Sequence, residues 1–530
     1  MDSWTLVGGT VADGSGTDPV PADVVVVDGR VREVEPPSRR TRVGKVLDVS
    51  GHVVAPGFID MHAHSDLAVL ADPEHLAKTM QGVTTEVVGQ DGLGYAPVSE
   101  EVMDLTREQI AGWNGVPDLD YAWRSVGDYL DRVDAGAAVN VATLVPHGTV
   151  RMLAMGSASR PASERELAEI RSLVDAGMAD GAMGLSTGLT YVPGMYASDE
   201  EIVDALEPVR ARGGFYCSHH RNYGADVVQA YTECLALAEA AHVPLHLAHC
   251  HVNFPQNRGR AVEVLDAVDA AMSRGLDVTL DSYPYLAGAT YLAALLPSWS
   301  AEQGSSHTLE LLEDPDSRRR ILHEIEVVGS DGHHGIAMDW AVIRISSVSD
   351  PGLAEYVGRT VAELAHERGL PPGELFADLL VADRLGAGCL VEVGNEENVQ
   401  AVMRHRSHTV GSDGILVGER PHPRGWGTCP RFLGAYVRDA GLMSLGEGIA
   451  HLTSRAARRL GLHDRGYVRP DFRADLVVLD PTSVGSDASY DDPKLAPTGI
   501  PHVFVNGEPT VLDGKRTGLV PGRSVRHSTR

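Results

Sequence analysis

The sequence predicts an α/β protein built on a (β/α)8 TIM barrel, with a small β-sandwich domain formed by both termini. Eight short apolar runs in the middle of the chain each end at polar residues. Helix start signals lie between several of these runs, and strands that alternate with helices indicate a parallel sheet. Both ends of the chain instead carry strand and turn signals without helices between them. These three observations predict one closed barrel and one smaller β domain.

The N-terminal and C-terminal segments define the predicted β-sandwich. The chain has 530 residues, which exceeds what one compact core usually holds. Residues 1–55 form the first part, in which Asp28-Gly29 separates two apolar runs and predicts a hairpin. Residues 466–530 form the second part, which begins with a strand at 475–480. We therefore place the barrel at residues 56–465.

Eight predicted strands make up the barrel. Helices between them have clear start signals, because Ser163 with Glu166 and Ser198 with Glu201 match the Ser-x-x-Glu capping box. An open doubly wound sheet is the alternative, but no Gly-x-Gly-x-x-Gly loop follows the first strand. The predicted strands are 58–62, 85–89, 139–145, 182–187, 214–219, 244–249, 276–281 and 409–413.

The connection between the seventh and eighth strands is far longer than an ordinary loop. It runs from about residue 281 to residue 409. The median length of a connection in a compact domain is only about 4–6 residues. We interpret residues 285–348 as an inserted subdomain between strands 7 and 8. At this edge, the insertion is expected to cover the mouth of the barrel.

Composition excludes several classes of partner. The net charge is −28, with 45 basic and 73 acidic residues, so nucleic acid and anionic membranes are not expected partners. No apolar run approaches the ~20 residues of a membrane span. The five cysteines are scattered without a Cys-x-x-Cys pair, which suits a reducing compartment. With no signal-peptide pattern at the N-terminus, we expect a cytoplasmic protein.

The most informative stretch is His62-Ala63-His64, directly after the first predicted barrel strand. Side chains alternate between the two faces of a strand, so His62 and His64 point the same way and can share one metal ion. Taken alone, a His-x-His stretch more often lines a polar loop. The ends of the other strands therefore decide between these readings.

Polar residues at four further strand ends extend the pattern. In (β/α)8 barrels, the chemistry lies at the C-terminal ends of the strands. Taken singly, each residue has a structural explanation, such as a turn for an Asp-Gly pair or a helix cap. Together, imidazole and carboxylate suit Zn²⁺ and also Mn²⁺, Fe²⁺, Co²⁺ or Ni²⁺. The predicted metal ligands are His62, His64, Asp91, His219, His249 and Asp413.

Longer motifs carry a resemblance to a known family. The chain resembles the amidohydrolase superfamily and, within it, the D-aminoacylase (N-acyl-D-amino-acid deacylase) family, along nearly its whole length. This resemblance implies a barrel with a small β-sandwich and a zinc-dependent hydrolase of N-acyl-D-amino acids. The motifs include residues 56–64, Gln81-Gly82-Val83-Thr84-Thr85, residues 184–189, Asp281-Ser282-Tyr283-Pro284-Tyr285, Gly411-Ser412-Asp413-Gly414, His422-Pro423-Arg424 and residues 499–507.

The resemblance assigns roles to the predicted ligands. It implies that His219 and His249 hold a tight zinc ion, and that His62, His64 and Asp413 form a second, weaker or vacant position. The third tight ligand of the family is a cysteine, but Asp91 stands at that position, 29 residues after His62. A carboxylate is a harder ligand than a thiolate. One or two ions, and a divalent metal other than zinc, therefore remain open.

A hydrolase of this kind also needs acid–base and substrate-binding groups. Asp413 is predicted to accept a proton from the attacking water and return it to the leaving amine. The family resemblance implies a substrate that carries a carboxylate. Arg221 and Arg424 are candidates to bind that carboxylate, and Tyr191 and Tyr283 are candidates to orient the amide.

Two histidines complete the predicted site, and a further pair is placed outside it. His251 stands where the family commonly has lysine, and it would bind a carboxylate only when protonated. His147, at the end of strand 3, is a possible stabiliser of the oxyanion. Ordinary loop structure is the alternative for each substrate-binding candidate. His333 and His334, in the insertion, are expected to face solvent.

Other functions remain open at the level of the sequence. A cyclic-amide hydrolase of the dihydroorotase or hydantoinase kind usually has a lysine at a strand end, but Lys45, Lys78, Lys494 and Lys515 are not at suitable positions. A hydrolase of a specialised peptide-like metabolite is a second alternative, and a non-catalytic barrel is a third. The expected partner is a small molecule that bears an amide and a carboxylate, and the oligomeric state is not predicted.

Overall fold

The computed structural model describes residues 2–37 and 42–528, and its centre is a closed barrel of eight parallel strands. Neighbouring strands pair in parallel from strand 1 through strand 8. The backbone N–H of Met61 donates to the carbonyl of Val410 at 3.2 Å, which joins strand 8 to strand 1. The barrel strands are, from 1 to 8, Phe58–Asp60, Val83–Val88, Asn140–Thr143 with Val145–Pro146, Gly184–Gly188, Phe215–His219, Leu245–Leu247, Val278–Ser282 and His408–Val410.

Helices cover the outside of the barrel. Their apolar faces form a continuous core with the strands, which includes Leu130, Val174, Ile202 and Val268. The main helices are Glu100–Gln109, Val126–Asp134, His147–Met155, Glu164–Asp180, Asp199–Ala205, Glu207–Arg212, Val227–Ala241, Ala261–Ser273, Glu396–Met403, Arg424–Arg431, Leu445–Leu452 and Ser454–Arg459.

The two predicted capping boxes differ in the structure. Glu166 accepts a hydrogen bond from the Ser163 N–H at 2.8 Å, so this box forms as predicted. The Ser198 hydroxyl accepts from the Glu201 N–H at 3.2 Å, but the Glu201 carboxylate turns instead to Arg151. A buried guanidinium is a stronger partner for a carboxylate than a backbone N–H, so only half of the second box forms.

Both ends of the chain form a small two-sheet β domain. One sheet has the order Arg30–Glu35, Asp23–Val27, Trp4–Val7 and Lys45–Asp48. The predicted hairpin is present, because Val27 pairs with Arg30 and both turn residues, Asp28 and Gly29, have positive φ. The second sheet has the order Lys515–Arg516, Glu508–Leu512, His502–Val505, Leu476–Leu479, Val53–Pro56, Thr10–Val11 and Val20–Pro21.

The second sheet also joins the β domain to the barrel. Along Leu476–Leu479, alternate side chains face opposite ways. Leu476 and Val478 pack in the core of the β domain, whereas Val477 and Leu479 pack against barrel residues such as Phe58. The C-terminal tail extends past this domain, because the Val525 N–H donates to the Val141 carbonyl of barrel strand 3 at 2.8 Å. Residues 523–525 therefore lie on the barrel rather than in the predicted β-sandwich.

The insertion between barrel strands 7 and 8 is a separate unit and is larger than predicted. Its antiparallel sheet has the order Gly288–Tyr291, Gly388–Val391 and Ile343–Ser347, so the central strand comes last in the chain. The unit therefore reaches about residue 391 instead of 348. Its own apolar core includes residues of the helices Ser305–Glu313, Pro315–His323, Val361–Arg368 and Pro372–Ala382.

None of the helices in residues 2–37 and 42–528 combines the length and the apolar character that a membrane crossing requires.

Candidate metal centre

All six predicted ligands lie together at the C-terminal ends of the barrel strands. His62 and His64 follow strand 1, Asp91 follows strand 2, and His219 ends strand 5. His249 follows strand 6, and Asp413 follows strand 8. Every one of these side chains is buried, with at most 6% of the residue exposed.

The six side chains form two clusters that share Asp91. The first cluster consists of His62, His64, Asp91 and Asp413, and the second of Asp91, His219 and His249. One Asp91 oxygen is 3.5 Å from His62 Nε2, and the other is 3.2 Å from His219 Nδ1. Asp91 is therefore placed to contact ions in either cluster or to bridge two.

The spacing of the donor atoms fits a tetrahedral ion. In the first cluster, four imidazole–carboxylate distances lie between 3.1 and 3.6 Å. Four ligands at about 2.1 Å from a zinc ion would be about 3.4 Å from one another. His62 Nε2 and Asp91 Oδ1 are buried and have no hydrogen-bond partner among the described residues, although buried polar atoms normally have one. The residues present therefore fit a divalent metal ion.

The backbone is constrained at three of the six ligands. Asp91, His249 and Asp413 have positive φ values of 54°, 30° and 49°, a region that non-glycine residues rarely occupy. Such conformations cost about 1–3 kcal/mol each and cluster at functional sites. Gly411 allows the close approach of strands here, because a Cβ at this position would lie 2.6 Å from Asp281 Oδ1.

Hydrogen bonds hold the ligand imidazoles from behind. His219 Nε2 is 2.7 Å from the Thr190 hydroxyl, and His249 Nδ1 is 2.8 Å from the Tyr223 hydroxyl. Asp281 accepts a hydrogen bond from the His249 backbone N–H at 2.9 Å, and its other oxygen is 3.7 Å from His62 Nδ1. Outer contacts of this kind set the orientation of an imidazole and the nitrogen that faces the metal.

A buried lysine joins barrel strands 1 and 8 beneath the ligands. Lys78 Nζ donates to Asp60 Oδ2 at 2.6 Å and to the Ser412 hydroxyl at 2.8 Å. Asp60 Oδ1 accepts from the backbone N–H of His62 at 3.2 Å and of Ser412 at 2.7 Å. This arrangement positions the backbone on either side of the first cluster.

The local charges favour ionised carboxylates. Burial acts to raise the pKa of Asp91, but the neighbouring imidazoles of His219 and His249 outweigh it and hold that pKa well below its usual range. Burial also opposes ionisation of Asp413, but the charge of Arg424 prevails and lowers the pKa of Asp413. Both groups are therefore in the state in which carboxylates bind metal ions.

One cavity, partly open to solvent, leads to these ligands. Four of the predicted substrate-binding residues line it, namely Tyr191, His251, Tyr283 and Arg424. The insertion forms much of the opposite wall, through residues 288–290, 294–295 and 332–334. The inserted unit therefore contributes part of the cavity wall at the end of the barrel that carries the ligands.

Comparison with known proteins decides the family. A family model described as "Amidohydrolase family" matches residues 45–511. The chain belongs to the amidohydrolase family. It is 35% identical over 526 residues to the D-aminoacylase of Alcaligenes xylosoxydans xylosoxydans, which covers 98% of this chain and 96% of that relative. It is 34% identical over 511 residues to the N-acyl-D-glutamate deacylase of the same organism, covering 95% and 92%.

A solved relative shares the whole architecture of this amidohydrolase. The crystal structure of the N-acyl-D-glutamate deacylase from Bordetella bronchiseptica, complexed with zinc and a phosphonate inhibitor, matches with a TM-score of 0.84 at 31% identity over 99% of each chain. The predicted family, the (β/α)8 fold class and the class of amidohydrolases acting on linear amides are confirmed. The two donor clusters and the zinc complex of this relative also confirm a metal cofactor.

Among the substrate-binding candidates of this amidohydrolase, Arg424 has the most direct contact with the ligands. Its Nη1 lies 2.9 Å from Asp413 Oδ2, and its guanidinium lies over the Tyr283 ring at 4.5 Å. The His251 ring packs on Tyr283 with centroids 4.2 Å apart. Burial, with the nearby His249 and Arg424, lowers the pKa of His251 to about 3. A neutral His251 is a hydrogen-bonding group and not the cation that would replace the family lysine.

The prediction for Arg221 is wrong. Its guanidinium donates to Glu233 at 2.5 Å and to the backbone carbonyls of Met195 and Ala197, each at 2.8 Å. All of its nitrogens are thus used within the protein, and Arg221 does not line the cavity. It fastens the loop after strand 4 to the helix Val227–Ala241.

The prediction for His147 is also wrong. His147 is the first residue of the helix His147–Met155, is fully buried and does not line the cavity. Its Nε2 lies 3.1 Å from Glu201, which also pairs with Arg151. An oxyanion donor must face the reacting carbonyl, whereas His147 faces this internal ion pair.

Several cavity residues were missed at the level of the sequence. His333 and His334 line the cavity instead of facing solvent, and His333 is held by the Ile336 carbonyl at 2.7 Å from Nδ1. Trp113 packs on His64 with ring centroids 4.7 Å apart. The adjacent pair His333-His334 could have indicated a site residue, because the insertion leaves the barrel at the end of the strands that carries the ligands. No sequence signal pointed to Trp113.

Proposed function

We propose that this chain hydrolyses the amide bond of N-acyl-D-amino acids, with Asp413 as the group that transfers protons. The observation that carries this proposal is the contact of Arg424 with Asp413 in a cavity that also reaches residues of both donor clusters. A carboxylate-binding cation is thereby placed beside a proton-transfer group. The D configuration is proposed from the relatives, whose names specify D-aminoacylase and N-acyl-D-glutamate deacylase.

The proposed metal ligands are the six residues of the two clusters. A bound divalent ion would polarise the scissile carbonyl and lower the pKa of water to about 7. Asp413 is proposed to accept a proton from the attacking water and to return it to the amide nitrogen as the carbon–nitrogen bond breaks. Its low pKa keeps it ionised, and so able to accept that proton, before the reaction begins.

Binding of the substrate carboxylate is assigned to Arg424. Its Nε has no hydrogen-bond partner among the described residues, so a donor remains available in a fully buried guanidinium. The Tyr283 ring holds the guanidinium plane in place. His251 Nε2 is likewise unpartnered and buried, and it is proposed to hydrogen-bond the substrate. Tyr191, whose hydroxyl is 3.2 Å from Thr290, is proposed to shape the wall beside His219.

A cyclic-amide hydrolase is less well supported. Lys78 is fully buried in the contact with Asp60 and Ser412, and no lysine lines the cavity in the described part of the chain. A lysine carbamate between two metals therefore has no source here. We also propose a cytoplasmic location. The five free, buried cysteines support it, because thiols stay reduced in that compartment.

A substrate panel tests the proposed function. The metal-loaded enzyme is expected to hydrolyse N-acetyl-D-amino acids at least about 10²-fold faster than their L enantiomers. Chelation should abolish this activity and added zinc should restore it, because a bound ion would lower the pKa of the attacking water and polarise the carbonyl. Product formation is measured with N-acetyl-D- and N-acetyl-L-amino acids, dihydroorotate and a hydantoin. If the enzyme hydrolysed only dihydroorotate or the hydantoin, the proposal would be wrong and the protein would be a cyclic-amide hydrolase.

A pair of arginine variants tests the assignment of the carboxylate site. Arg424→Gln should raise the KM for N-acetyl-D-amino acids about 10- to 100-fold, the usual range for a lost hydrogen bond to a charged group. The matched variant Arg221→Gln should leave the KM within about twofold and lower Tm, because Arg221 is used for internal contacts. Steady-state kinetics and thermal unfolding of both variants give the answer. A raised KM in Arg221→Gln only would reverse the two assignments.

A further inference from the structure

A second cavity lies beside the first. It is a cleft that is partly open to solvent. The two cavities share three lining residues, namely Thr190, Ala294 and Gly332. Thr190 is itself hydrogen-bonded to His219 at 2.7 Å. The second cavity therefore begins directly beside a metal-ligand candidate and is separated from the first by small side chains.

The surface of the second cavity is mainly apolar. Its wall includes Met152, Val192, Met195, Leu296 and Leu385, and no lysine or arginine of the described chain lines it. Polar side chains in the wall are largely engaged in internal contacts. Burying methylene groups against such a surface is favourable.

The mouth of the second cavity carries an acidic group. Glu108 and Leu105 line it, and both are exposed on the helix Glu100–Gln109. The second cavity thus extends from Thr190, beside His219, along apolar side chains to an acidic rim. An anionic group at the end of a ligand would meet Glu108 and no cation.

The geometry of the barrel gives the direction in which a substrate would lie. Arg424 and Asp413 follow strand 8, whereas Thr190 follows strand 4, on the opposite side of an eight-stranded barrel. In an N-acyl amino acid, the carboxylate is attached on the nitrogen side of the amide, and the acyl chain is attached to the other side of the carbonyl. With the carboxylate at Arg424, the acyl chain points away from strand 8 and toward Thr190.

We propose that the second cavity is a subsite for an unbranched, uncharged acyl chain longer than acetyl, which passes Thr190 and Ala294. This inference rests on the proposed function, since it takes Arg424 as the carboxylate anchor. It adds a substrate class to that function, namely N-acyl-D-amino acids with medium-length fatty acyl groups.

An acyl-length series tests the subsite. One D-amino acid carrying acetyl, butanoyl, hexanoyl, octanoyl or adipoyl groups is assayed with the zinc-loaded full-length enzyme. The kcat/KM should rise about fourfold for each added methylene as far as hexanoyl, which follows from the transfer energy of a buried methylene. Adipoyl has the length of hexanoyl with a terminal carboxylate, and its kcat/KM should be at least about tenfold lower.

Two variants that fill the cavity make the test specific. Ala294→Phe, in the wall shared by the two cavities, and Ala301→Phe, which lines only the second cavity, should each lower the ratio of octanoyl to acetyl kcat/KM at least about tenfold. The control Ala354→Phe is exposed in the inserted unit and lines neither cavity, so its ratio should match that of the wild type. If either Ala294→Phe or Ala301→Phe fails to fold, the other variant still tests the subsite.

The outcomes separate this subsite from the proposed function. If the wild type hydrolyses the acetyl substrate but its kcat/KM falls steadily with acyl length, the subsite is wrong and the function stands. The cavity-filling variants could instead change the preference for the amino-acid side chain and leave the ratio of octanoyl to acetyl kcat/KM unchanged. That result would show that the second cavity binds the amino-acid side chain, and it would also overturn the acyl subsite. Absence of hydrolysis for every acyl group would overturn the proposed function itself.

Discussion

Replacement of Asp413 by asparagine is expected to lower kcat by about 10²-fold or more, with the fold retained. An amide has nearly the shape of a carboxylate but cannot accept a proton from water, and positioned acid–base groups contribute about 10²–10⁴-fold. Asp413 also lies 3.1 Å from His64 Nε2 and 2.9 Å from Arg424 Nη1. Steady-state kinetics of protein loaded with zinc, together with its metal content, separate lost proton transfer from lost metal.

A matched aspartate provides the control for this variant. Asp383 is also buried, and it accepts hydrogen bonds from backbone N–H groups of Ser349 and Asp350 in the inserted unit. Asp383→Asn should lower Tm and leave kcat unchanged, because Asp383 belongs to neither donor cluster and lines neither cavity. Normal turnover by Asp413→Asn with full metal content would remove Asp413 from the chemistry.

Replacement of Asp91 by alanine is expected to have the second large effect. Asp91 is the residue shared by the two donor clusters, with Oδ2 3.2 Å from His219 Nδ1 and Oδ1 3.5 Å from His62 Nε2. Loss of an outer-shell partner already costs about 10- to 100-fold in metal affinity or activity. Loss of a shared ligand should therefore lower both by more than about 10²-fold, as measured by metal titration and kcat/KM.

The matched variant for this position is Asp91→Cys, which introduces the cysteine that the D-aminoacylase family is expected to have at this position. A thiolate supplies one donor atom and favours softer ions. This variant should keep activity within about tenfold of the wild type and prefer zinc over manganese more strongly. Full metal content and activity in Asp91→Ala would show that Asp91 is not a ligand.

The polar residues at strand ends were predictable, because position along a strand limits where a side chain can point. His62, His64, Asp91, His219, His249 and Asp413 each follow an apolar run, and parallel strands bring their ends to one rim. The clustering in the structure matches that expectation. The order of these residues around the barrel could be predicted without knowing any side-chain contact, because it follows the order of the strands.

Residues whose role depends on a distant partner were not predictable. Arg221 and His147 have suitable positions, but Glu233 and Glu201 engage them through contacts that no local pattern records. The unformed half of the capping box at Ser198 has the same cause, since Glu201 turns toward Arg151. The end of the insertion was misplaced because its central strand, Gly388–Val391, is the last to occur along the chain.

The pairing of Val53–Pro56 with Leu476–Leu479 has a consequence for the biosynthesis of this protein. Ala55 pairs with Val477, about 420 positions later. At about 5–20 residues per second, a ribosome needs about 20–80 s to produce that interval. During this time the apolar strand Val53–Pro56 can pair with Thr10–Val11 but lacks its other neighbour, and exposed strand edges favour aggregation. Production of this enzyme should therefore depend on chaperones that shield the nascent N-terminal segment.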